Sequence, residues 1–209
     1  MRSTDRFGRT PGGARRPDGG AAGGAFVLAS RNPNKARELE RLLPGWTVEP
    51  LDADDYPPET GETYYENAQA KARFGRGIAE PDVWVLGEDS GLEVEGLGGG
   101  PGVHSSRSAA GDEVGWVLKE LADVEGNLRR ARYVCELVAL SPAGEEVRGT
   151  GTLEGRIAES PAGSGGFGFD PVFIPEAEQR TVAELGDEWK ARNSHRANAA
   201  RALLADLQA

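Results

Sequence analysis

Sulfur-containing residues are almost absent from this chain of 209 residues, which has one cysteine and one methionine. A lone cysteine cannot form a disulfide within the chain, and without a Cys/His cluster a zinc site is not expected. Cys135 lies in the largely apolar run 133–140, which predicts a small core residue. Histidine is also scarce, and we expect His104 to be structural or exposed.

Long apolar runs are missing as well. No stretch of about 18 apolar residues is present, so neither a membrane span nor a membrane partner is expected. The N-terminus lacks the apolar segment of a secretory signal, which makes the cytoplasm the expected compartment.

Basic residues are fewer than acidic ones: 24 Lys and Arg against 34 Asp and Glu give a formal net charge of −10. Because binding of duplex nucleic acid needs a basic face, no nucleic-acid partner is expected. A small anionic ligand is compatible with this charge if local cations and a metal ion offset the negative field.

Periodic apolar residues begin at Ala25. Residues 1–24 are rich in Gly, Arg and Pro without such a pattern, which predicts a disordered tail. Residues 25–209 are long enough for one domain with a substantial core. Strand and helix patterns intermix there without an internal repeat, which predicts the α/β class with a mixed sheet.

Local signals place the individual elements. Asn32 is the predicted N-cap of a helix that starts at Pro33, and Thr63 with Glu66 fits a capping box. A turn is predicted at 89–91. The predicted strands are 25–30, 46–51, 83–86, 92–94, 132–140, 147–157 and 172–174, and the predicted helices are 33–43, 63–78, 113–121 and 193–207.

The first candidate site is the polar turn between the first strand and the first helix. A helix N-terminus offers unpaired N–H groups and a positive dipole end, which suit phosphate. An ordinary strand–helix connection with a surface lysine is the alternative. The residues of this turn are Ser30, Arg31, Asn32, Pro33, Asn34 and Lys35.

The second candidate site is the acid pair Glu88 and Asp89, which follows an apolar strand and precedes Ser90 and Gly91. Carboxylates are the usual protein ligands of Mg²⁺ beside substrate phosphates, and one of them can act as a general base. The alternative is a turn with exposed acids.

The third candidate site is Glu59 with the helix that follows it. Glu59 could give a metal ion a further oxygen. Lys71 lies four residues after Asn67, so both side chains share one helix side. A solvated helix face is the alternative.

The fourth candidate site is the loop 163–170 (GSGGFGFD), whose glycines match GxGxxG. A dinucleotide site is excluded because that motif must open a helix, whereas Asp170 is followed by Pro171 and a predicted strand. We predict a flexible loop that presents Phe167 or Phe169 to a flat base. Phenylalanines packed into the core are the alternative.

The fifth candidate site is Lys190 with His195 and Arg196 at the start of the last predicted helix. Cations at a helix N-terminus oppose the dipole preference, which suggests a bound anion or a carbonyl acceptor. Exposed side chains that tolerate the dipole are the alternative. A nucleophilic Ser194 activated by His195 is disfavoured because adjacent helix residues do not face each other.

In this order, and with PGVHSSR at 101–107 among them, the five sites resemble the inosine triphosphate pyrophosphatases, also called non-canonical purine NTP pyrophosphatases. The resemblance runs from about Phe26 to Leu204. It implies two α/β lobes around a long mixed sheet, an active cleft between the lobes, and a homodimer. It also implies Mg²⁺-dependent hydrolysis of ITP, dITP and XTP to the monophosphate and pyrophosphate.

The resemblance assigns roles to individual residues. Ser30, Asn32 and Lys35 would bind the triphosphate. Glu59 and Asp89 would hold Mg²⁺, with Asp89 also the general base. The remaining implied positions are Lys71 and Ser90 near the substrate, Phe167, Gly168, Phe169 and Asp170 in the base-binding loop, and Lys190, His195 and Arg196 for reading the purine.

Three positions depart from the pattern of many members. Ser30 and Arg31 stand where many members have threonine and glycine, and Glu88 replaces an aspartate and is a further candidate metal ligand. A non-catalytic nucleotide-binding protein, for which Glu88 is the only sequence support, is one alternative function. A pyrophosphatase for pyrimidine or modified nucleotides is the other.

Overall fold

The structure is a computed structural model that describes residues 24–108 and 111–208. The predicted tail, apart from Gly24, lies outside the described residues. The strands are β1 (Ala25–Leu28), β2 (Thr47–Pro50), β3 (Trp84–Val94), β4 (Arg130–Leu140), β5 (Glu146–Ile157) and β6 (Phe173–Pro175). The α-helices are α1 (Pro33–Leu42), α2 (Tyr64–Arg76), α3 (Ser105–Ser108), α4 (Glu113–Glu120), α5 (Val182–Asn193) and α6 (His195–Leu207).

The strands form one mixed sheet of six strands in the order β2-β1-β3-β4-β5-β6. β1 pairs in parallel with β2 and β3, whereas the pairs β3–β4, β4–β5 and β5–β6 are antiparallel. Helix α2 packs against β3 and β4, and α6 packs against β4 and β5. This arrangement confirms the predicted α/β class with a long mixed sheet and flanking helices.

Two large apolar clusters lie at opposite ends of the long strands. One is built around Phe26, Leu39 and Leu203, which bring β1, α1 and α6 together. The other surrounds Leu92 and Phe173 and includes the apolar side of α4. Cys135 belongs to the first cluster and is fully buried, as its apolar surroundings predict.

The predicted starts of α1 and α2 are confirmed, whereas α6 begins at His195 and not at Asn193, which ends α5. The Asn32 side chain accepts a hydrogen bond from the Asn34 N–H at 2.9 Å, and Pro33 begins α1. Thr63 and Glu66 form the capping box of α2. Within the described residues, none of the helices is both long enough and apolar enough to cross a membrane.

One local prediction is wrong, and one helix was not predicted. The segment 89–91 is not a turn, because β3 runs through it without interruption and pairs with β4 from Val85 to Val94. Gly91 is required there by close packing, since a Cβ atom would collide with the Gly102 carbonyl oxygen. Helix α5 was not predicted, although Thr181 and Glu184 form a capping box at its start.

The parallel pairing of β1 with β3 ends where the candidate acids begin. The last paired residues are Leu28 and Leu86, so this edge of β3 is not paired with β1 from Gly87 onward. The turn that follows β1 lies at this point. In open α/β sheets, ligands bind at the carboxyl ends of strands where neighbouring connections diverge.

Candidate active site

The turn after β1 is organised by its own side chains. The Asn32 N–H donates to Ser30 Oγ at 3.2 Å, and Asn32 caps α1. No acidic residue occupies the first turn of α1, so its positive dipole end is not neutralised locally. The turn therefore retains the properties that suit phosphate.

Two cations of this turn have different surroundings. Lys35 lies 2.5 Å from the carboxylate of the buried Glu88. The Arg31 guanidinium donates to the Asp54 carbonyl at 2.9 Å and lies 5.0 Å from the centre of the Tyr56 ring. The structure thus places Lys35 toward the sheet, whereas Arg31 packs against the segment that follows β2.

A second cluster, the Glu59–Lys71–Asp89 cluster, joins the loop before α2 to the middle of β3. The Lys71 ammonium lies 2.5 Å from Glu59 Oε1 and 2.7 Å from Asp89 Oδ1, and donates to the Glu88 carbonyl at 3.1 Å. The buried Asn67 donates to Asp89 Oδ2 at 3.3 Å. Two carboxylates against one ammonium leave a formal charge of −1.

The environment shifts the pKa values of this cluster. Burial raises the pKa of Asp89 above its ordinary value, and Lys71 only partly opposes that shift. Burial acts on the pKa of Glu59 in the same direction, but Lys71, Lys35 and Arg107 together lower it. The two carboxyl groups are thereby differentiated, with Asp89 the better proton acceptor near neutral pH.

The same cluster could hold a divalent cation. Among the described residues, no three His, Cys, Asp or Glu side chains form a group fit for a metal ion. A closed protein cage is therefore not available in that part of the chain. Mg²⁺ needs less, because it usually binds one or two carboxylates together with substrate phosphates and water. Glu59 and Asp89, with their excess negative charge, fit that requirement.

Glu88 does not join these two carboxylates. Neighbouring strand residues point to opposite faces, so Glu88 lies on the α6 side of β3. Its carboxylate is fully buried and contacts Lys35 and the Arg196 guanidinium, the latter at 2.9 Å. These cations lower the pKa of Glu88 against the opposing effect of burial.

Arg196 is the largest fully buried side chain, and its donors are already engaged. Besides Glu88, it contacts Glu38 on α1 and donates to Ser90 Oγ at 3.0 Å. Burial alone would lower the pKa of Arg196, but Glu88 and Glu38 raise it, which keeps the guanidinium charged.

The predicted base-binding loop is held by Asp170 and Lys190. Asp170 Oδ2 accepts from the Phe167 N–H at 2.9 Å and from Lys190 at 2.7 Å. The Lys190 ammonium lies 4.2 Å from the centre of the Phe167 ring. Phe169 is buried in the core, as the alternative for this loop had it, although it also reaches the cavity wall. Asp170 and Lys190 therefore fix the loop, and Phe167 is the more exposed ring.

His195 begins α6 beside this loop. Its ring stacks on Tyr133 with centroids 4.5 Å apart and an interplanar angle of 11°. Burial and the charges of Arg196 and Lys190 lower the pKa of His195 well below its ordinary value, so the ring is neutral. Its buried Nδ1 atom has no hydrogen-bond partner, which leaves a polar atom for a ligand or water to satisfy.

A cavity of about 110 Å³ brings several of these residues together. Glu59, Lys71 and Asp89 do not line it and lie on the other side of β3. Glu113 at the start of α4 and Tyr133 line the cavity but were not predicted. The predicted site residues in its wall are Asn32, Lys35, Ser90, Phe167, Gly168, Phe169, Asp170, Lys190, His195 and Arg196.

Glu38 was also missed by sequence reasoning. It lies three residues after Lys35, which puts both on one side of α1. It contacts Lys190 at 2.5 Å and also Arg196. The three-residue spacing of Lys35 and Glu38 was the sequence signal that could have identified Glu38 as a site residue.

Sequence comparison places these observations in a family context. A sequence model described as the Ham1 family matches residues 26–206. A dITP/XTP pyrophosphatase of Symbiobacterium thermophilum is 44% identical over 190 residues, which cover 88% of this chain and 95% of that relative. One of Thermus thermophilus is 45% identical over 190 residues, covering 85% of this chain and 89% of that relative.

Solved structures give the same picture. The Ham1 protein of Staphylococcus aureus has a TM-score of 0.76 at 34% identity and covers 88% of this chain and 98% of its own. A nucleoside-triphosphatase, or dITP/XTP pyrophosphatase, of Mycobacterium abscessus has a TM-score of 0.67 at 40% identity, covering 86% of this chain and 98% of its own.

Proposed function

The chain belongs to the Ham1 family, and from that premise we propose that it hydrolyses non-canonical purine nucleoside triphosphates. The substrates would be dITP, XTP and ITP, and the products the nucleoside monophosphate and pyrophosphate. Removal of these nucleotides from the pool would be its role.

The observation that carries this proposal is the position of the two charged clusters at the end of β1. The open edge of β3 exposes the Glu59–Lys71–Asp89 cluster on one side and the cavity with Lys35 and Arg196 on the other. A nucleotide whose phosphates lie at the turn after β1 would reach both. The base would then lie in the cavity beside Phe167.

The phosphates would be bound by Lys35, Ser30 and the N-terminal N–H groups of α1. We propose that the protein requires Mg²⁺, held by Glu59 and Asp89, whose formal excess of negative charge supports this assignment. When bound, Mg²⁺ supplies neutralisation and alignment of the phosphate oxygens. Lys35 would stabilise the charge that develops on the departing pyrophosphate.

Asp89 would act as the general base. It would accept a proton from the water that attacks the α-phosphorus, and the bond to the pyrophosphate oxygen would break. The position of Asp89 supports this role, because it lies where β3 is no longer paired with β1, beside the turn at which the phosphates would bind. Asn67 and Lys71 would hold the carboxylate in place.

Purine selection would depend on donors in the cavity wall. Hypoxanthine and xanthine carry an acceptor oxygen at position 6, whereas adenine carries an amine there. Arg196 and Lys190 would turn part of their contacts from their acidic partners to the oxygen, with His195 beside them. The amine of adenine is itself a donor and cannot accept from them, so it would not offset the loss of those contacts, which costs affinity. Glu88 was the only sequence support for a non-catalytic protein. Its side chain lies on the opposite face of β3 from Glu59 and Asp89, so it does not argue against catalysis at those two residues.

The test is pyrophosphate release by the purified protein with Mg²⁺ from ITP, dITP, XTP, GTP, ATP and a pyrimidine triphosphate. We expect release chiefly from the first three and its loss after chelation. Asp89→Asn should lower kcat by roughly 10²- to 10⁴-fold while the protein still folds and binds ITP.

Asp123→Asn, which changes an exposed acid on the surface, is the matched control and should retain wild-type kcat. No release from any nucleotide by a folded wild-type protein that binds ITP would refute the proposed reaction. Faster release from the pyrimidine triphosphate than from the purine triphosphates would show that the substrates are pyrimidine nucleotides.

We also propose that the protein is a homodimer located in the cytoplasm. Family membership supports the first, and a nucleotide-pool substrate supports the second. Sedimentation velocity at micromolar protein concentration tests the dimer, and a monomer throughout would contradict it.

A further inference from the structure

A chain of alternating charges connects the two ends of the cavity. It starts at the loop that holds Phe167 and ends at the turn after β1. Glu38 and Glu88 each lie between two cations, Asp170 ends the chain beside one, and the formal charges cancel, unlike those of the Glu59–Lys71–Asp89 cluster. In order, its members are Asp170, Lys190, Glu38, Arg196, Glu88 and Lys35.

Glu88 is the link between the two ends. Among the described residues, it is the carboxylate in ion-pair contact with both Arg196 and Lys35. Its side chain is fully buried, so this carboxylate depends on the two cations for neutralisation of its charge. The Cys135 Sγ atom lies 3.7 Å from Glu88 Oε1 and is an uncharged neighbour of this carboxylate.

This contact has a consequence for binding. Lys35 must give up part of its contact with Glu88 when it turns to a phosphate. Arg196 must likewise give up part of its contact when it donates to a base. Because both cations share one carboxylate, loosening one contact changes the strength of the other.

We propose that Glu88 is a positioning residue that couples purine recognition at Arg196 to phosphate binding at Lys35, and that it is not a metal ligand. This inference rests on the proposed function. When a base binds Arg196, Glu88 would hold Lys35 in the position in which Lys35 binds phosphate. When a base cannot bind Arg196, Glu88 would not hold Lys35 in that position.

The test compares Glu88→Gln, which removes the charge at nearly constant shape, with Glu88→Asp, which keeps it. Glu136→Gln is the matched control, because Glu136 is another buried carboxylate, held by Arg148 on the adjacent strand. The measured quantities are kcat/KM for ITP and ATP, and Mn²⁺ affinity of the nucleotide-free protein by electron paramagnetic resonance.

We expect Glu88→Gln to reduce the ITP/ATP ratio of kcat/KM by about 5- to 150-fold, the usual range of coupling between sites. Glu88→Asp should restore most of the ratio, and Glu136→Gln should not change it. Mn²⁺ affinity should stay within about twofold of wild type in Glu88→Gln but fall in Asp89→Asn. An unchanged ratio, or loss of Mn²⁺ affinity as in Asp89→Asn, overturns the inference.

A double-mutant cycle covers the case in which Glu88→Gln does not fold. Lys35→Gln, Arg196→Lys and the double variant are compared by calorimetric binding of ITP in the presence of a chelator. Coupling through Glu88 predicts non-additive losses of affinity, and additive losses overturn it. This cycle needs no turnover, so a wild-type protein that releases no pyrophosphate refutes the proposed reaction separately.

Discussion

At the scale of the residue, neighbours on β3 are separated in function because their side chains point to opposite faces of the sheet. Glu88 joins Lys35 and Arg196 on one face, and Asp89 joins Lys71 and Asn67 on the other. The two carboxylates also differ in pKa, lowered for Glu88 and raised for Asp89. Adjacent acids thus serve different environments without competing for the same cation.

The burial of Arg196 predicts a stability cost for its removal. Arg196→Ala would leave Glu88 and Glu38 without their shared partner, so we expect the free energy of unfolding to fall by about 3–5 kcal/mol. Urea unfolding measures this change. Arg201→Ala, which alters an exposed arginine on the same helix, should change it by less than about 0.5 kcal/mol. Equal effects of the two variants would contradict the assignment.

At the scale of the element, the sequence predicts starts of helices better than the course of β3. Caps such as Asn32 and Thr63 act within one turn of helix, so their signal is local. The segment 89–91 resembles a turn because its residues are polar and small. What keeps it in the strand is distant: its pairing with β4, and cations from α1, α2 and α6.

Close packing of α6 on β5 predicts the effect of adding one carbon atom. A Cβ at Gly151 would collide with the His195 carbonyl and the Ala199 N–H. We expect Gly151→Ala to lower the free energy of unfolding by about 1–3 kcal/mol, as overpacking does, and to reduce kcat/KM for ITP by displacing the start of α6.

Thr152→Ala is the control for Gly151→Ala, because Thr152 is the exposed neighbour on the same strand. Urea unfolding and ITP turnover of both variants check the prediction. A Gly151→Ala protein as stable and active as Thr152→Ala would show that α6 can shift without cost.

At the scale of the whole molecule, the sequence predicts many of the residues that belong to the site, but it does not predict which of them contact each other. The five candidate motifs predict which segments meet, and residues of four of them line one cavity. The pairing of Glu38 with Arg196 could not be read from the chain, because the two lie 158 residues apart. Which charges share a partner is decided by how α1, β3 and α6 pack, a property of the complete fold.

The buried neutral His195 predicts how stability depends on pH. Its pKa in the folded protein is lowered, so the unfolded chain takes up this proton first as the pH falls below about 6.5. Stability is therefore complete above that pH and declines below it by up to about 1.4 kcal/mol per pH unit.

Urea unfolding between pH 7.5 and 5.5 measures this decline. Wild type should lose about 1.4 kcal/mol more over this interval than His195→Gln, which lacks the titrating ring. His104→Gln, which removes the exposed histidine, should follow wild type. Parallel curves for wild type and His195→Gln would show that His195 is not held neutral.

The position of Arg196 in α6 also has a consequence in time. Its partner Glu88 precedes it by 108 residues, and Glu38 precedes it by 158. At a translation rate of about 5–20 residues per second, Glu88 is synthesised roughly 5–20 s before the arginine, and Glu38 earlier still. Glu59, Lys71 and Asp89 can meet earlier. The Glu59–Lys71–Asp89 cluster can therefore form in a nascent chain before the last described helix has brought Arg196 to Glu88 and Glu38.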